Sequence, residues 1–170
     1  IFNLIMGLIE PSKGKIFLEN KDIKNFLPEW QNTIGYAPQI TFLYKSTVLK
    51  NLVMGQSKNE IDFLKLENAF KMSGLDRFLN FKKDLNKIIL EKGGNFSVGQ
   101  VQRFGIARAI YFGAKILLFD EITSSLDLKS EKKIIEDLQK IKKKFTIIFI
   151  THRDNYLNKF DNIINLNKIN

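Results

Sequence analysis

One stretch constrains this chain more than any other, residues 95–127, which read NFSVGQVQRFGIARAIYFGAKILLFDEITSSLD. Ser97 and Gly99 stand just ahead of Gln100 to Gly113, where Phe104, Ala107, Ile110 and Tyr111 recur at helical spacing; a helix is expected to begin near Gln100. The free N–H groups and positive dipole end of such a start suit a phosphate, with Gly99 allowing close approach and Ser97 adding a hydroxyl donor. An ordinary N-cap and turn is the plainer reading of the same residues. Ile116 to Phe119 then form an apolar run suited to a strand buried on both faces. Asp120 and Glu121 follow at its C-terminal end, the edge of an open α/β sheet where ligands bind, although a solvated pair capping the strand is the simpler alternative.

Length and composition set the bounds. With 170 residues, 44% of them hydrophobic, the chain can bury one sizeable core, so one domain or a domain fragment is expected. It begins with Ile1, not Met, and a missing N-terminus is the expectation. The absence of cysteine excludes disulfides and cysteine-ligated zinc. No apolar run approaches the roughly 18 residues that cross a bilayer. The net charge of +9 could serve a nucleic acid or an anionic membrane surface, yet the lysines are dispersed. The one tight cluster, Lys142 to Lys144, closes an expected helix, where cations suit the negative end of the dipole.

In chain order, Ile1 to Ile9 reads as the tail of a buried helix ending at Glu10–Pro11. Lys15 to Leu18 suggests a short strand, Asn20 to Asp22 a turn, and Ile23 to Gln31 a connector holding the only Trp. Thr33 to Ala37 reads as a strand stopped by Pro38, leaving Gln39 on a loop at the sheet edge. Its carboxamide could bind a metal or water oxygen, although a lone loop Gln is usually only solvated. Thr47 could cap a helix over residues 48–54; further helices are expected over 60–72, with Phe63, Leu66 and Phe70 on one face, and over 76–81. Ser130 to Lys143 is amphipathic through Ile134, Leu138 and Ile141, and Phe145 to Ile150 reads as a buried strand followed by Thr151 and His152. A lone His is more often structural than catalytic, but this one is level with Asp120 and Glu121 if the strands are parallel neighbours. Asp161 to Leu166 reads as a final strand.

Taken together, Gln39, Phe96-Ser97-Val98-Gly99-Gln100, Ile116 to Glu121, Ser125-Leu126-Asp127 and His152 resemble, in order and spacing, the Q-loop, signature, Walker B, D-loop and H-loop of an ABC nucleotide-binding domain. The resemblance covers almost the whole chain and implies an α/β fold: a RecA-like P-loop NTPase core with a mainly parallel sheet and an inserted helical subdomain. Residues 1–44 and 113–170 would form the core, and about 45–112 the helical part with the signature motif. Val98 stands where the family has glycine, and Phe96 where it has leucine. A G-x-x-x-x-G-K-[ST] phosphate loop is not present: beside Gly14-Lys15, Ile9 and Ile16 occupy the other two key positions. The resemblance places that loop just ahead of Ile1, as if the domain were cut inside its first helix.

The resemblance also implies roles. Asp120, with Gln39, would help hold Mg²⁺; Glu121 would orient or deprotonate the attacking water; Gln39 would sense metal and water; and His152 would hydrogen-bond the γ-phosphate of ATP. Ser97, Val98, Gly99 and Gln100 would contact ATP held by a second nucleotide-binding domain, and Asp127 would act across that interface. Phe42-Leu43-Tyr44, residues 46–55 and Leu90-Glu91-Lys92-Gly93 resemble exporter segments, and Trp30-Gln31 with residues 34–39 is similar to flippases of lipid-linked oligosaccharides. The expected activity is ATP hydrolysis driving export or flipping, with transmembrane domains on the same chain, at the cytoplasmic face of the membrane. Nucleic acid is not an expected partner. A soluble ABC ATPase of DNA repair or translation and a non-catalytic remnant are the alternatives, and the fragment alone is expected to hydrolyse ATP poorly or not at all.

Overall fold

The computed structural model describes residues 1–112 and 115–166. The first elements are α1 (Phe2–Ile5), β1 (Phe17–Leu18), β2 (Lys21–Asp22), α2 (Leu27–Gln31) and β3 (Ile34–Ala37). There follow β4 (Ser46–Thr47), α3 (Val48–Val53), α4 (Phe63–Met72), α5 (Phe81–Asp84), β5 (Ile88–Ile89) and α6 (Val98–Tyr111). The chain then forms β6 (Ile116–Asp120), α7 (Leu128–Ile141) and β7 (Thr146–Ile150).

The sheet that organises the molecule has the order β3-β6-β7, and both pairings are parallel. Ala37 lies opposite Phe119, and Asp120 opposite Ile150, so the three strands end at one edge. Leu117, Leu118 and Phe119 of the central strand are completely buried, as its continuous apolar run requires. Each contributes about 1.5–3 kcal/mol by leaving water. β1 with β2 and β4 with β5 make two small antiparallel ribbons. α6 lies against β3, α3 and α4, burying Phe104, Ile106, Ala107, Ile110 and Tyr111. α7 buries Ile134, Leu138 and Ile141, the stripe its periodicity marks.

Several boundaries differ from the sequence reading, each for a local reason. α1 stops at Ile5 because the N–H groups of Leu8 and Ile9 turn back to the Asn3 carbonyl; Leu8 and Ile9 are exposed. Residues 20–22 are not simply a turn: Glu19 and Asn20, at φ of 48° and 65°, connect β1 to β2, which begins at Lys21. The connector forms a 3₁₀ turn at Ile23–Phe26 and then α2, with Trp30 buried and donating to the Ile5 carbonyl at 2.7 Å. α4 begins at Phe63 because Asp62 caps it, and Phe63 itself is exposed. The helix expected over 76–81 is two pieces, a 3₁₀ turn at Leu75–Arg77 and α5, since Asn80 accepts from the N–H groups of Lys82 and Lys83 and starts a new helix.

Three further expectations are corrected. α6 begins at Val98 rather than Gln100, because Ser97 is its N-cap; the expected end at Gly113 lies outside the described residues, as does the expected return to the core at residue 113. β7 lies at an edge of the described sheet, with Thr146 and Ile148 exposed, and is not a buried strand. Residues 161–166 form no strand: Asp161 pairs with Lys142 at 2.7 Å, and the successive Ile163 and Ile164 are both exposed, leaving no face to bury.

An ion cluster centred on the buried Arg103–Asp137 pair joins the end of α4 to α6 and α7. Arg103 donates at 2.7 Å to both the Ser73 carbonyl and Asp137 Oδ2, while Arg77 and Lys140 meet Oδ1 of the same carboxylate. Gly74, at φ +73°, makes room for this, since a Cβ there would lie 2.2 Å from Arg103 Nη1. Arg103→Met removes the buried guanidinium from Asp137 and Ser73. It is expected to lower the unfolding free energy by about 3 kcal/mol in urea denaturation.

Candidate functional site

The in-register ends of β3, β6 and β7 bring four of the sequence-selected residues together. Glu121 is the first residue past β6, and its φ of +47° lies in the left-handed region, which costs a non-glycine residue roughly 1–2 kcal/mol. The turn is closed on both sides: its N–H donates to the Ile150 carbonyl at 3.0 Å, and its carbonyl accepts from the Ser124 N–H at 2.9 Å. Glu121 Oε1 lies 3.1 Å from His152 Nε2, and Oε2 accepts from Gln39 Nε2 at 3.3 Å. The same Gln39 amide reaches Ser124 Oγ at 3.2 Å. Thus side chains from beyond β3 and beyond β7 meet on the acid at the end of β6.

Asp120, the last residue of β6, accepts at 3.1 Å through Oδ2 from the Tyr36 hydroxyl. Burial first, and then this hydrogen bond, push the Tyr36 phenol above its ordinary range, so it stays a neutral donor at neutral pH. Asp120 and Glu121 offer the hard oxygen donors that a divalent cation needs. Among the described residues, no group of three or more acidic, His or Cys side chains is gathered for a metal. A Mg²⁺ ion commonly takes only one or two carboxylates, with water and phosphate oxygens completing its shell, and Asp120 suits that use.

Ser97, Val98, Gly99, Gln100 and Asp127 form a second group, where the starts of α6 and α7 adjoin. Ser97 Oγ accepts from the Gln100 N–H at 3.3 Å, and Gln100 Oε1 accepts from the Ser97 N–H at 2.9 Å. This capping box realises the plainer N-cap reading of Ser97 and turns the Gln100 side chain back on its own helix end. Val98 is the first helical residue and is exposed. Gly99 faces α7: a Cβ built on it would lie 3.7 Å from both Leu126 Cδ2 and Ser130 Cβ. Asp127 caps α7 through the Ser130 N–H at 3.0 Å and the Ser130 hydroxyl at 2.7 Å. These Ser130 bonds hold its carboxyl below the ordinary value.

Sequence reasoning missed the braces around both groups. Arg153 donates to the Leu126 carbonyl at 2.9 Å, the Ser124 carbonyl at 2.6 Å and Glu131 Oε2 at 3.1 Å. Glu131 is buried and also accepts from Thr123 Oγ1 at 2.9 Å. Arg153 adjoins His152, and that adjacency was the available signal. Tyr36 was also within reach of pattern reasoning: it pairs with Leu118, two residues before Asp120 on the same face of the sheet.

The model of the family described as ABC transporter matches residues 1–124. The chain is 35% identical over 169 residues to an "ATP-dependent lipid A-core flippase" of Wigglesworthia glossinidia brevipalpis, covering 99% of this chain and 29% of that protein. It is 38% identical over 169 residues to a "Lactococcin-G-processing and transport ATP-binding protein" of Lactococcus lactis subsp. lactis, covering 97% of this chain and 24% of the relative. It thus spans under a third of the length of either relative. Among solved structures, a bacterial Atm1-family ABC exporter with ATP bound superposes with a TM-score of 0.73 at 27% identity, over 89% of this chain and 27% of that one.

Arg153→Lys keeps the charge but loses the planar fork that spans two carbonyls and a carboxylate. The expected outcome is faster amide hydrogen exchange over residues 123–127 and a loss of about 2 kcal/mol in thermal or urea unfolding.

Proposed function

This chain belongs to the ABC transporter family and has the α/β fold of its P-loop NTPase domain, and from that premise we propose that it is the ATP-binding and ATP-hydrolysing part of a membrane exporter. The observation that carries the reading is the convergence of His152 and Gln39 on Glu121 at the C-terminal edge of the parallel sheet. Glu121 orients the attacking water and accepts its proton as the water oxygen bonds to the γ-phosphorus. The bond from that phosphorus to the bridging oxygen breaks, and ADP leaves. Gln39 positions water beside Glu121, and His152 donates to the γ-phosphate. Asp120, held by Tyr36, would supply an oxygen to Mg²⁺, which when bound offsets charge on the phosphates.

The second group of residues acts on a second nucleotide-binding domain in this reading. Ser97, Val98, Gly99 and Gln100 present the start of α6 to the γ-phosphate of ATP held by the partner, and Asp127 acts across the same interface. What supports the reading is the exposure of Val98 and the packing of Gly99 beside the Asp127-capped start of α7. The division proposed within one chain is an α/β core that includes residues 1–44 and 115–166 and a helical part over about 45–112. The hydrolysis cycle drives transmembrane domains, proposed to lie on the same polypeptide, from the cytoplasmic face of the membrane. The cargo class, a lipid-linked glycan, rests on the resemblance of residues 30–39 to flippase sequences.

In the full-length protein, Glu121→Gln is expected to keep ATP binding within a few-fold of the parent while hydrolysis falls at least about a hundredfold, as befits loss of the proton acceptor. Nucleotide-binding titration and phosphate release measure the two separately. Turnover retained by the variant removes Glu121 from the role of base. Ser97→Ala is expected to weaken ATP-induced pairing of two domains more than ATP binding by one, as read by sedimentation alongside titration. Equal damage to both assigns Ser97 a capping role alone.

A further inference from the structure

We propose that Gln102 is a positioning residue that ties α6, the helix opened by Ser97, to the backbone of Gln39, so that the placement of the Gln39 amide beside Glu121 is set from α6. The inference rests on the role given to Gln39 above and adds the residue through which that role is set. Gln102 is 3% exposed, and both ends of its amide are engaged by one loop. Nε2 donates to the Gln39 carbonyl, and Oε1 accepts from Thr41 Oγ1 at 2.8 Å. Buried amide groups are costly to leave unmet, so these two bonds define one position of residues 39–41 against the helix.

Two more residues of α6 extend the grip at helical spacing. At Gly105, a Cβ would lie 2.4 Å from Thr41 Oγ1, so the loop approaches the helix where only glycine leaves room. At Arg108, Nη1 donates to the Phe42 carbonyl at 2.8 Å and Nε to the Asn51 carbonyl at 2.6 Å. Gln39 therefore has its backbone held by α6 and its side chain on Glu121 and Ser124. A displacement of α6 relative to β6 must either carry the Gln39 carbonyl with it or break the Gln102 bond. The hydrogen bonds of the Gln102 amide go to Gln39 and Thr41, and its influence on turnover passes through Gln39.

The test is a double-mutant cycle in the full-length protein, pairing Gln102→Met with Gln39→Ala, with ATPase kinetics and thermal melting as readouts. Gln102→Met is expected to lower kcat about tenfold while KM for ATP changes less than about twofold, the pattern of lost positioning. Combined with Gln39→Ala, it should add no further loss of kcat. Losses that multiply in the double variant overturn the inference while leaving the Gln39 role intact. Full turnover by Gln39→Ala alone overturns that role, and the inference with it. If Gln102→Met does not fold, Thr41→Val carries the test. It keeps the bond to the Gln39 carbonyl and is expected to lower kcat about threefold, again without adding to Gln39→Ala; a multiplied loss overturns the inference.

Discussion

Parallel pairing in register is the constraint on which the rest of the structure depends. Because Ala37 lies opposite Phe119 and Asp120 opposite Ile150, three strands end level with one another. Residues separated by more than eighty positions, Gln39 and Glu121, then come within hydrogen-bonding distance. A slip of one residue would turn the Tyr36 and Asp120 side chains to opposite faces and disperse the group. The burial of Leu117, Leu118 and Phe119 keeps β6 at the centre of the sheet, and Asp120 and Glu121 bound its apolar run at the C-terminal end.

The second constraint is α6, which acts as a fastening between the sheet and the helices before it. Gln102 and Arg108 both reach the loop after β3, at Gln39 and Phe42, Arg108 also reaches the Asn51 carbonyl, and Arg103 ends on Asp137 of α7. Burial lowers the Arg108 pKa from its high ordinary value, yet a guanidinium has far more margin than neutral pH requires. It therefore stays charged while donating to backbone. A lysine could offer the charge but not two planar donors aimed at separate carbonyls.

The parts legible in sequence were those whose signal is local or periodic. The apolar run of β6 announced a buried strand, and the two acids after it announced its edge; Ile134, Leu138 and Ile141 announced the inner face of α7. What could not be read depended on partners far along the chain. Gln102, Arg103, Glu131 and Asp137 look in sequence like the solvated side of a helix. All four are buried, because each meets a polar group on another element or loop. The split of residues 75–84 into two short helices turned on one Asn80 side chain reaching two backbone N–H groups, an interaction that competes with helix continuation at small cost. The reverse error occurred at 161–166, where an apolar pattern suggested a strand but Ile163 and Ile164 are both left exposed.

Stiffness and adaptability are divided between different residues of the site. Gln102, Thr41, Glu131 and Thr123 are buried, and their hydrogen bonds fix the loops on either side of the acids. Glu121 and its partners have the opposite character. His152 is 82% exposed on its side chain, and the bonds from His152 and Gln39 to the carboxylate, at 3.1 and 3.3 Å, are longer than a good charge-assisted bond. Water competes for such exposed pairs, so their net contribution is small, on the order of 1 kcal/mol or less. A carboxylate whose neighbours are weakly held can exchange them for a water and a phosphate oxygen at little cost. The buried braces keep the backbone of Gln39 and the turn at Glu121 in place during that exchange, and the left-handed turn at Glu121 survives because its N–H and carbonyl are both tied.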